Sequence, residues 1–135
     1  MQKEYFGTGS IKYLKEILEK EKPNNIFLVT GKESYNSKIK PKLEKILDNY
    51  NFIQFNEFSK NNKIEDIERG ISKYNKKNYD LIVAIGGGSV IDIAKSINIL
   101  SYQKYNPKQY LLKNKKLVEK NKKLVAIPTT SGTGS

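Results

Sequence analysis

Short apolar runs alternate along the chain with longer stretches whose apolar residues recur every three or four positions. The short runs are rich in β-branched and aromatic residues, which predicts strands: Ile26–Thr30, Asn51–Phe55, Leu81–Ile85 and Leu124–Ile127. The longer stretches have the spacing of amphipathic helices, and they begin near Ile11, Ile39, Ile64 and Val90. This alternation predicts an α/β fold, with a doubly wound, mainly parallel sheet and helices on both faces.

Several local signals refine these elements. Tyr5–Ser10 is rich in turn-forming residues and predicts a loop, with Ser10 as the N-cap of the first helix. Pro107 is suited to open a short helix, and Lys113–Lys116 predicts a solvent-facing loop. Acidic residues near the start of the third helix predict a solvated first turn, at Glu65, Asp66 and Glu68. The apolar face of the fourth helix is predicted to contain Val90, Ile91, Ala94, Ile97 and Ile99.

The chain is organised around Asp80–Lys95, where a buried strand stops at three glycines and a helix begins. Residues without Cβ let an anion approach the backbone, and the first N–H groups of a helix point toward it. This predicts a phosphate or dinucleotide site. The other interpretation is a tight strand–helix turn, with Ser89 as N-cap and Asp92 at the third helical position.

A second unusual stretch follows the last predicted strand. Ile127–Ser135 reads Ile-Pro-Thr-Thr-Ser-Gly-Thr-Gly-Ser and places several hydroxyl groups among glycines. Such a loop can hydrogen-bond a diphosphate or a nicotinamide, or simply form turns of its own. Together with Gly-Gly-Gly-Ser-x-x-Asp-x-x-Lys at 86–95, it resembles the iron-containing (group III) alcohol dehydrogenases.

The resemblance covers essentially all 135 residues, but only as the amino-terminal half of such an enzyme. It implies a Rossmann-like dinucleotide-binding domain over residues 1–135, without the family's helical domain. That second domain would bring an Asp and three His to a divalent metal, Fe²⁺ or Zn²⁺. The parent protein would interconvert a small alcohol and an aldehyde or ketone by metal-assisted hydride transfer. The present chain is expected to bind the cofactor and not to turn over.

The resemblance also implies which residues bind NAD or NADP. The cofactor-binding set is Gly31, Lys32, Asn61, Gly86, Gly87, Gly88, Ser89, Val90, Asp92, Thr129, Thr130, Gly132 and Thr133. Relatives that prefer NAD commonly carry an Asp near Gly31, where a carboxylate would repel a 2′-phosphate. Its absence beside Lys32 slightly favours NADP, although Glu33 offers an alternative carboxylate for the ribose. No residue of this chain is predicted to be catalytic or to ligate a metal.

Composition excludes several classes of site and of partner. The chain has no His and no Cys, so it cannot supply an imidazole base, a thiolate ligand or a disulfide. It carries a formal charge of +11; the segment from Ser101 to Lys123 contributes eight lysines and one glutamate, a net +7. With a single arginine and no nucleic-acid motif, a solvated lysine surface is favoured over nucleic-acid binding. No membrane span or secretory leader is evident, so a cytoplasmic protein is expected.

Two other functions remain open from the sequence. One is the cofactor half of a glycerol-1-phosphate dehydrogenase or dehydroquinate synthase. The other is a non-catalytic module that binds a nucleotide or polyanion through its lysines. The stretch at 58–62 also resembles the phosphonoacetaldehyde reductase branch. If the chain is part of a larger enzyme, exposed apolar surface and a homo-oligomer are expected.

Overall fold

The computed structural model describes residues 3–6, 11–32, 39–59, 63–103, 106–113 and 123–129. Ten elements follow one another along the chain. In order they are β1 (Lys3–Phe6), α1 (Ile11–Glu21), β2 (Asn25–Thr30), α2 (Ile39–Leu47), β3 (Asn51–Phe55), α3 (Ile64–Tyr74), β4 (Leu81–Gly86), α4 (Gly88–Leu100), α5 (Pro107–Lys113) and β5 (Lys123–Pro128). The predicted α/β alternation is confirmed, including the short helix that opens at Pro107.

The five strands form one parallel sheet in the order β1-β5-β4-β2-β3. The prediction that Tyr5–Ser10 begins in a loop is wrong for Tyr5 and Phe6, which lie in β1. This strand has only four residues and pairs with β5 far along the chain, Tyr5 opposite Val125. A strand this short has too few residues for a periodic signal, and distant pairing completes it.

Apolar side chains form one core on each face of the sheet. On one face α1 and α2 pack against alternate strand residues such as Leu28 and Val83. On the other face α3 and α4 cover the intervening residues, among them Phe27 and Ala84. Both faces of the central strands are therefore buried, which explains why β4 is apolar throughout. Among the described residues, no helix is both long enough and apolar enough to cross a membrane.

The buried face of α4 differs in part from its prediction. Val90, Ala94 and Ile97 are buried as expected, whereas Ile91 and Ile99 are only half-buried. Their places in the core are taken by Ile93, Asn98 and Leu100. The helix packs against both the sheet and α3, so its buried surface is wider than one stripe. Asn98 is 2% exposed, and its side-chain nitrogen and oxygen have no hydrogen-bond partner in the described part of the chain.

The start of α3 also differs from its prediction, since Asp66 is buried rather than solvated. The residue is 7% exposed. Its carboxylate accepts hydrogen bonds from the N–H and the Oγ of Ser59 at 3.1 and 3.0 Å. It also accepts from the Lys63 N–H at 3.2 Å and from Arg69 Nη1 at 3.0 Å. Burial alone would raise the pKa of Asp66, but the hydrogen bonds from Ser59, Arg69 and Lys63 outweigh it and lower the pKa.

This shift predicts a pH dependence of stability. Above about pH 5 the Asp66 carboxylate is charged in both the folded and the unfolded chain. On acidification the unfolded chain binds the proton first, because the folded pKa is the lower one, so stability is lost as the pH falls through that value. We expect Asp66→Asn to lower the free energy of unfolding by about 1–2 kcal/mol at pH 7. The difference from wild type should shrink between pH 5 and pH 3, and chemical denaturation at each pH measures it. A difference that is constant with pH would contradict this role of the charge.

Candidate functional site

The strand order reverses between β2 and β4. From β2 the chain moves outward to β3, and then returns to place β4 on the opposite side of β2. In open parallel sheets, ligands bind in the crevice that such a reversal leaves at the carboxyl ends of the strands. Gly31 follows β2 and Gly86 ends β4 at this edge, and Thr30 lies opposite Ile85 in the sheet. The topology therefore brings two of the predicted binding turns to the same crevice.

The turn between β4 and α4 begins with a backbone that requires glycine. Gly86 has φ of 154°, a conformation that residues with a Cβ rarely adopt. Gly87 is the N-cap of α4, with φ of −79° and ψ of −170°. The N–H groups of Val90 and Ile91 donate to its carbonyl oxygen at 3.1 and 3.2 Å. The helix therefore starts at Gly88 with its amino end at the crevice.

This geometry corrects the alternative interpretation of the turn. Ser89 is not the N-cap but the second helical residue, and Asp92 is the fifth rather than the third. The strand ends at Gly86 and the helix already begins at Gly88, so the residue between them, Gly87, is the N-cap. Asp92 is exposed and Ser89 is half-buried, and Val90 is turned into the core with 4% of its surface exposed.

Neither Gly87 nor Gly88 is required by backbone or packing. The dihedral angles of Gly87 are available to any residue, and Gly88 lies in a helix. Among the described residues, no atom lies within 4 Å of a Cβ built on either glycine. The space above both residues is therefore open, and adding a Cβ there would narrow it. Glycine at both positions is consistent with a ligand that closely approaches the backbone.

The end of β5 lies directly beside the glycine turn. Gly86 is opposite Pro128 in the sheet, and the Thr129 N–H donates to the Gly86 carbonyl oxygen at 2.9 Å. The two glycine- and hydroxyl-rich motifs are therefore neighbours at this point. Thr129 is half-buried; the predicted residues Thr130, Gly132 and Thr133 lie outside the described residues.

On the other side of the crevice, the end of β2 is held by a residue that the sequence analysis missed. Gln54 Nε2 donates to Thr30 Oγ1 at 2.7 Å, and Thr30 is fully buried. The only signal in the sequence was an amide within an otherwise largely apolar strand. Gly31 is half-buried and Lys32 is exposed in the turn that follows. The other residue predicted to bind on this side, Asn61, lies outside the described residues.

The described residues of the site do not form a metal centre. Within the described part of the chain, no three His, Cys, Asp or Glu side chains could hold a metal ion together, and the chain has no His or Cys at all. The described residues thus do not fit a metal, whereas the open glycine turn at a helix amino end fits a phosphate group. The arrangement is Rossmann-like, with a glycine turn between a parallel strand and the amino end of a helix.

Comparison with known proteins identifies the family. The family model for iron-containing alcohol dehydrogenase matches residues 2–135, and the chain therefore belongs to that family. It is 36% identical to the long-chain primary alcohol dehydrogenase AdhA of Thermoanaerobacter ethanolicus, over 97% of this chain and 34% of that protein. It is 37% identical to 4-hydroxybutyrate dehydrogenase of Clostridium kluyveri, over 81% of this chain and 28% of that protein.

Solved structures of similar fold include members of the same family. Sulfoacetaldehyde reductase from Bifidobacterium kashiwanohense, in complex with NAD⁺, superposes with a TM-score of 0.81 and 25% identity, over 97% of this chain and 35% of that one. An iron-containing alcohol dehydrogenase from Thermotoga maritima superposes with a TM-score of 0.73, also at 25% identity, over 98% of this chain and 37% of that one. The chain spans about a third of the length of the curated relatives it matches first.

Proposed function

We propose that residues 1–135 form an NAD(P)-binding domain, with the diphosphate seated over Gly87 and Gly88. The observation that carries the proposal is the open space above these two glycines, at the amino end of α4 and at the strand-order reversal. Backbone N–H groups and the partial positive charge of the helix end would hold the diphosphate. The NAD⁺ in the complex of the sulfoacetaldehyde reductase supports this choice of ligand.

In the proposed complex the dinucleotide lies across the carboxyl edge of the sheet. One nucleoside extends from the glycine turn toward Gly31 and Lys32, together with Asn61 beyond the described residues. The other end extends toward Thr129 and the hydroxyl-rich segment after it, with Thr130, Gly132 and Thr133. Ser89 and Asp92 stand on the first turns of α4 and support the glycine turn; Val90 contributes its backbone, because its side chain is buried.

The parent reaction is proposed to interconvert a small alcohol and an aldehyde or ketone. Two of the similar proteins are named as alcohol or hydroxy-acid dehydrogenases, which supports this reaction class. The nicotinamide, when bound, supplies hydride transfer; the present residues bind and orient the dinucleotide. A divalent metal would need ligands other than the described residues. We expect the 135-residue chain to bind the cofactor without turnover; a homo-oligomeric, cytoplasmic parent stays a prediction.

Calorimetric titration of the chain with NAD and NADP, at low and moderate salt, tests the proposal. We expect saturable binding that persists at moderate salt, because the helix amino end and backbone contacts are short-range. NADP is expected to bind more tightly than NAD, because Gly31 presents no carboxylate and Lys32 can contact a 2′-phosphate. Binding lost at moderate salt, and equally strong for any polyanion, would instead support a lysine-based polyanion module. A higher affinity for NAD would contradict the argument from Gly31.

A further inference from the structure

A single buried carboxylate holds both ends of the loop between β3 and α3. Asp66 Oδ2 accepts from the backbone and hydroxyl of Ser59 before residues 60–62, and from the backbone of Lys63 after them. Asp66 Oδ1 accepts from Arg69 Nη1, which also donates to the Glu57 carbonyl oxygen at 2.9 Å. Ser59 and Lys63 are thus bonded directly to one side chain in the first turn of α3, and Glu57 is linked to it through Arg69.

The loop lies on the ligand edge of the sheet. It follows the carboxyl end of β3, which neighbours β2, which in turn neighbours β4. At the usual spacing of nearly 5 Å between strands, it begins about 10 Å from the glycine turn. A nucleoside that extends from a diphosphate over Gly87 and Gly88 toward Gly31 would approach this loop. The described residues after β3, including Ser59 that Asp66 holds, therefore lie on the far side of the crevice.

The hydrogen bonds of Asp66 are more than helix capping requires. A residue that only starts α3 needs the bond from Lys63, which forms half of a capping box. Asp66 in addition binds Ser59, seven residues earlier, and orients Arg69 toward Glu57. These bonds fix Ser59 and Lys63 before ligand binding, so less conformational entropy is lost when a ligand contacts these residues.

We propose that Asp66 is a positioning residue for the adenosine half of the cofactor, acting through the loop between β3 and α3. The inference rests on the proposed function, since it assigns the β2–β3 side of the crevice to adenosine. Asp66 itself is buried and does not touch the ligand. Removing its carboxylate weakens adenosine binding because the loop must then be ordered at the moment of binding.

The test compares two halves of the cofactor on the same protein. AMP and nicotinamide mononucleotide are titrated, directly or in competition with NAD, into wild type and Asp66→Ala. We expect AMP affinity to fall roughly tenfold, as preorganisation is lost, and nicotinamide mononucleotide affinity to stay within about twofold. The AMP affinity of Asp66→Asn should lie between those of wild type and Asp66→Ala, because an amide oxygen can still accept the hydrogen bonds from Ser59 and Lys63.

Two control variants separate positioning from stability. Glu65→Ala removes the neighbouring exposed acid and should leave both affinities unchanged. Gly70→Ala, on the same helix but packed toward α4, should lower the melting temperature without a selective loss of AMP binding. Ser59→Ala deletes one bond at an exposed residue. If Asp66→Ala fails to fold, Ser59→Ala tests the proposal instead, and we expect it to bind AMP roughly twofold to threefold more weakly than wild type.

The outcomes distinguish this inference from the proposed function. If wild type binds neither NAD nor NADP, the proposed cofactor site fails, and the positioning role fails with it. If wild type binds NAD, but AMP does not compete or binds equally well to Asp66→Ala and Ser59→Ala, the positioning role alone is overturned. An equal loss of AMP and nicotinamide mononucleotide affinity would overturn it too, since it indicates general destabilisation.

Discussion

Replacing Gly87 and Gly88 together by valine is expected to abolish NAD(P) binding while the domain stays folded. Each new side chain would occupy the space above the glycine turn, where the diphosphate is proposed to lie. The fold should tolerate them, because a Cβ at either position meets no atom of the described part of the chain within 4 Å and the φ of Gly87 suits any residue. We expect the affinity for NAD and NADP to fall at least about a hundredfold, since the backbone donors become inaccessible.

Calorimetry measures the affinity of the double variant, and thermal unfolding measures its stability. Ser72→Val is a matched control, because it places the same β-branched side chain at an exposed position of α3. It should bind like wild type. Unchanged affinity for NAD and NADP in the Gly87→Val/Gly88→Val protein would show that the diphosphate does not bind at this turn. Loss of folding would show that the open space above these residues is needed for some other reason.

Gly70→Ala is expected to destabilise the domain through the contact between α3 and α4. Gly70 is buried in α3, and a Cβ there would lie 2.9 Å from Phe55 Cε2 and 3.0 Å from Ile97 Cγ1, with Ile97 Cδ1 also in contact. Those neighbours are fully buried, so they cannot move aside into solvent. Overpacking of this kind costs about 1–3 kcal/mol, while alanine gains about 1 kcal/mol of helix propensity. The clash should prevail, with a net loss of roughly 1 kcal/mol.

Chemical denaturation of Gly70→Ala and Gly88→Ala provides the matched comparison. Both changes add one methyl group to a helical glycine, but only Gly70 is enclosed. Gly88→Ala should be neutral or slightly stabilising, because the added Cβ is in open space at a helix start. A Gly70→Ala protein as stable as wild type would mean that α3 and α4 can separate at little cost.

The repeated pattern of the chain was enough to predict most of the fold. Apolar runs placed β2 to β5, and helical spacing placed α1 to α4, because burial on both faces of a sheet and on one face of a helix leaves a direct periodic signal. The glycines between β4 and α4, and the hydroxyl-rich segment after β5, indicated the family, since few other sequences have both motifs. The positive φ of Gly86 is also a local feature, because it depends only on the turn between β4 and α4.

Only the tertiary structure decided features that depend on distant partners. β1 is a strand because β5 pairs with it, and four residues contain no period that predicts this. The sequence predicts a solvated acid at Asp66. In the structure its carboxylate is buried, and hydrogen bonds from Ser59 and Arg69 compensate for the loss of hydration. Pairing of β2 with β4 determined that Gly31 and the glycine turn border one crevice. Residue type and spacing determine what each segment can form, whereas strand order determines which segments meet.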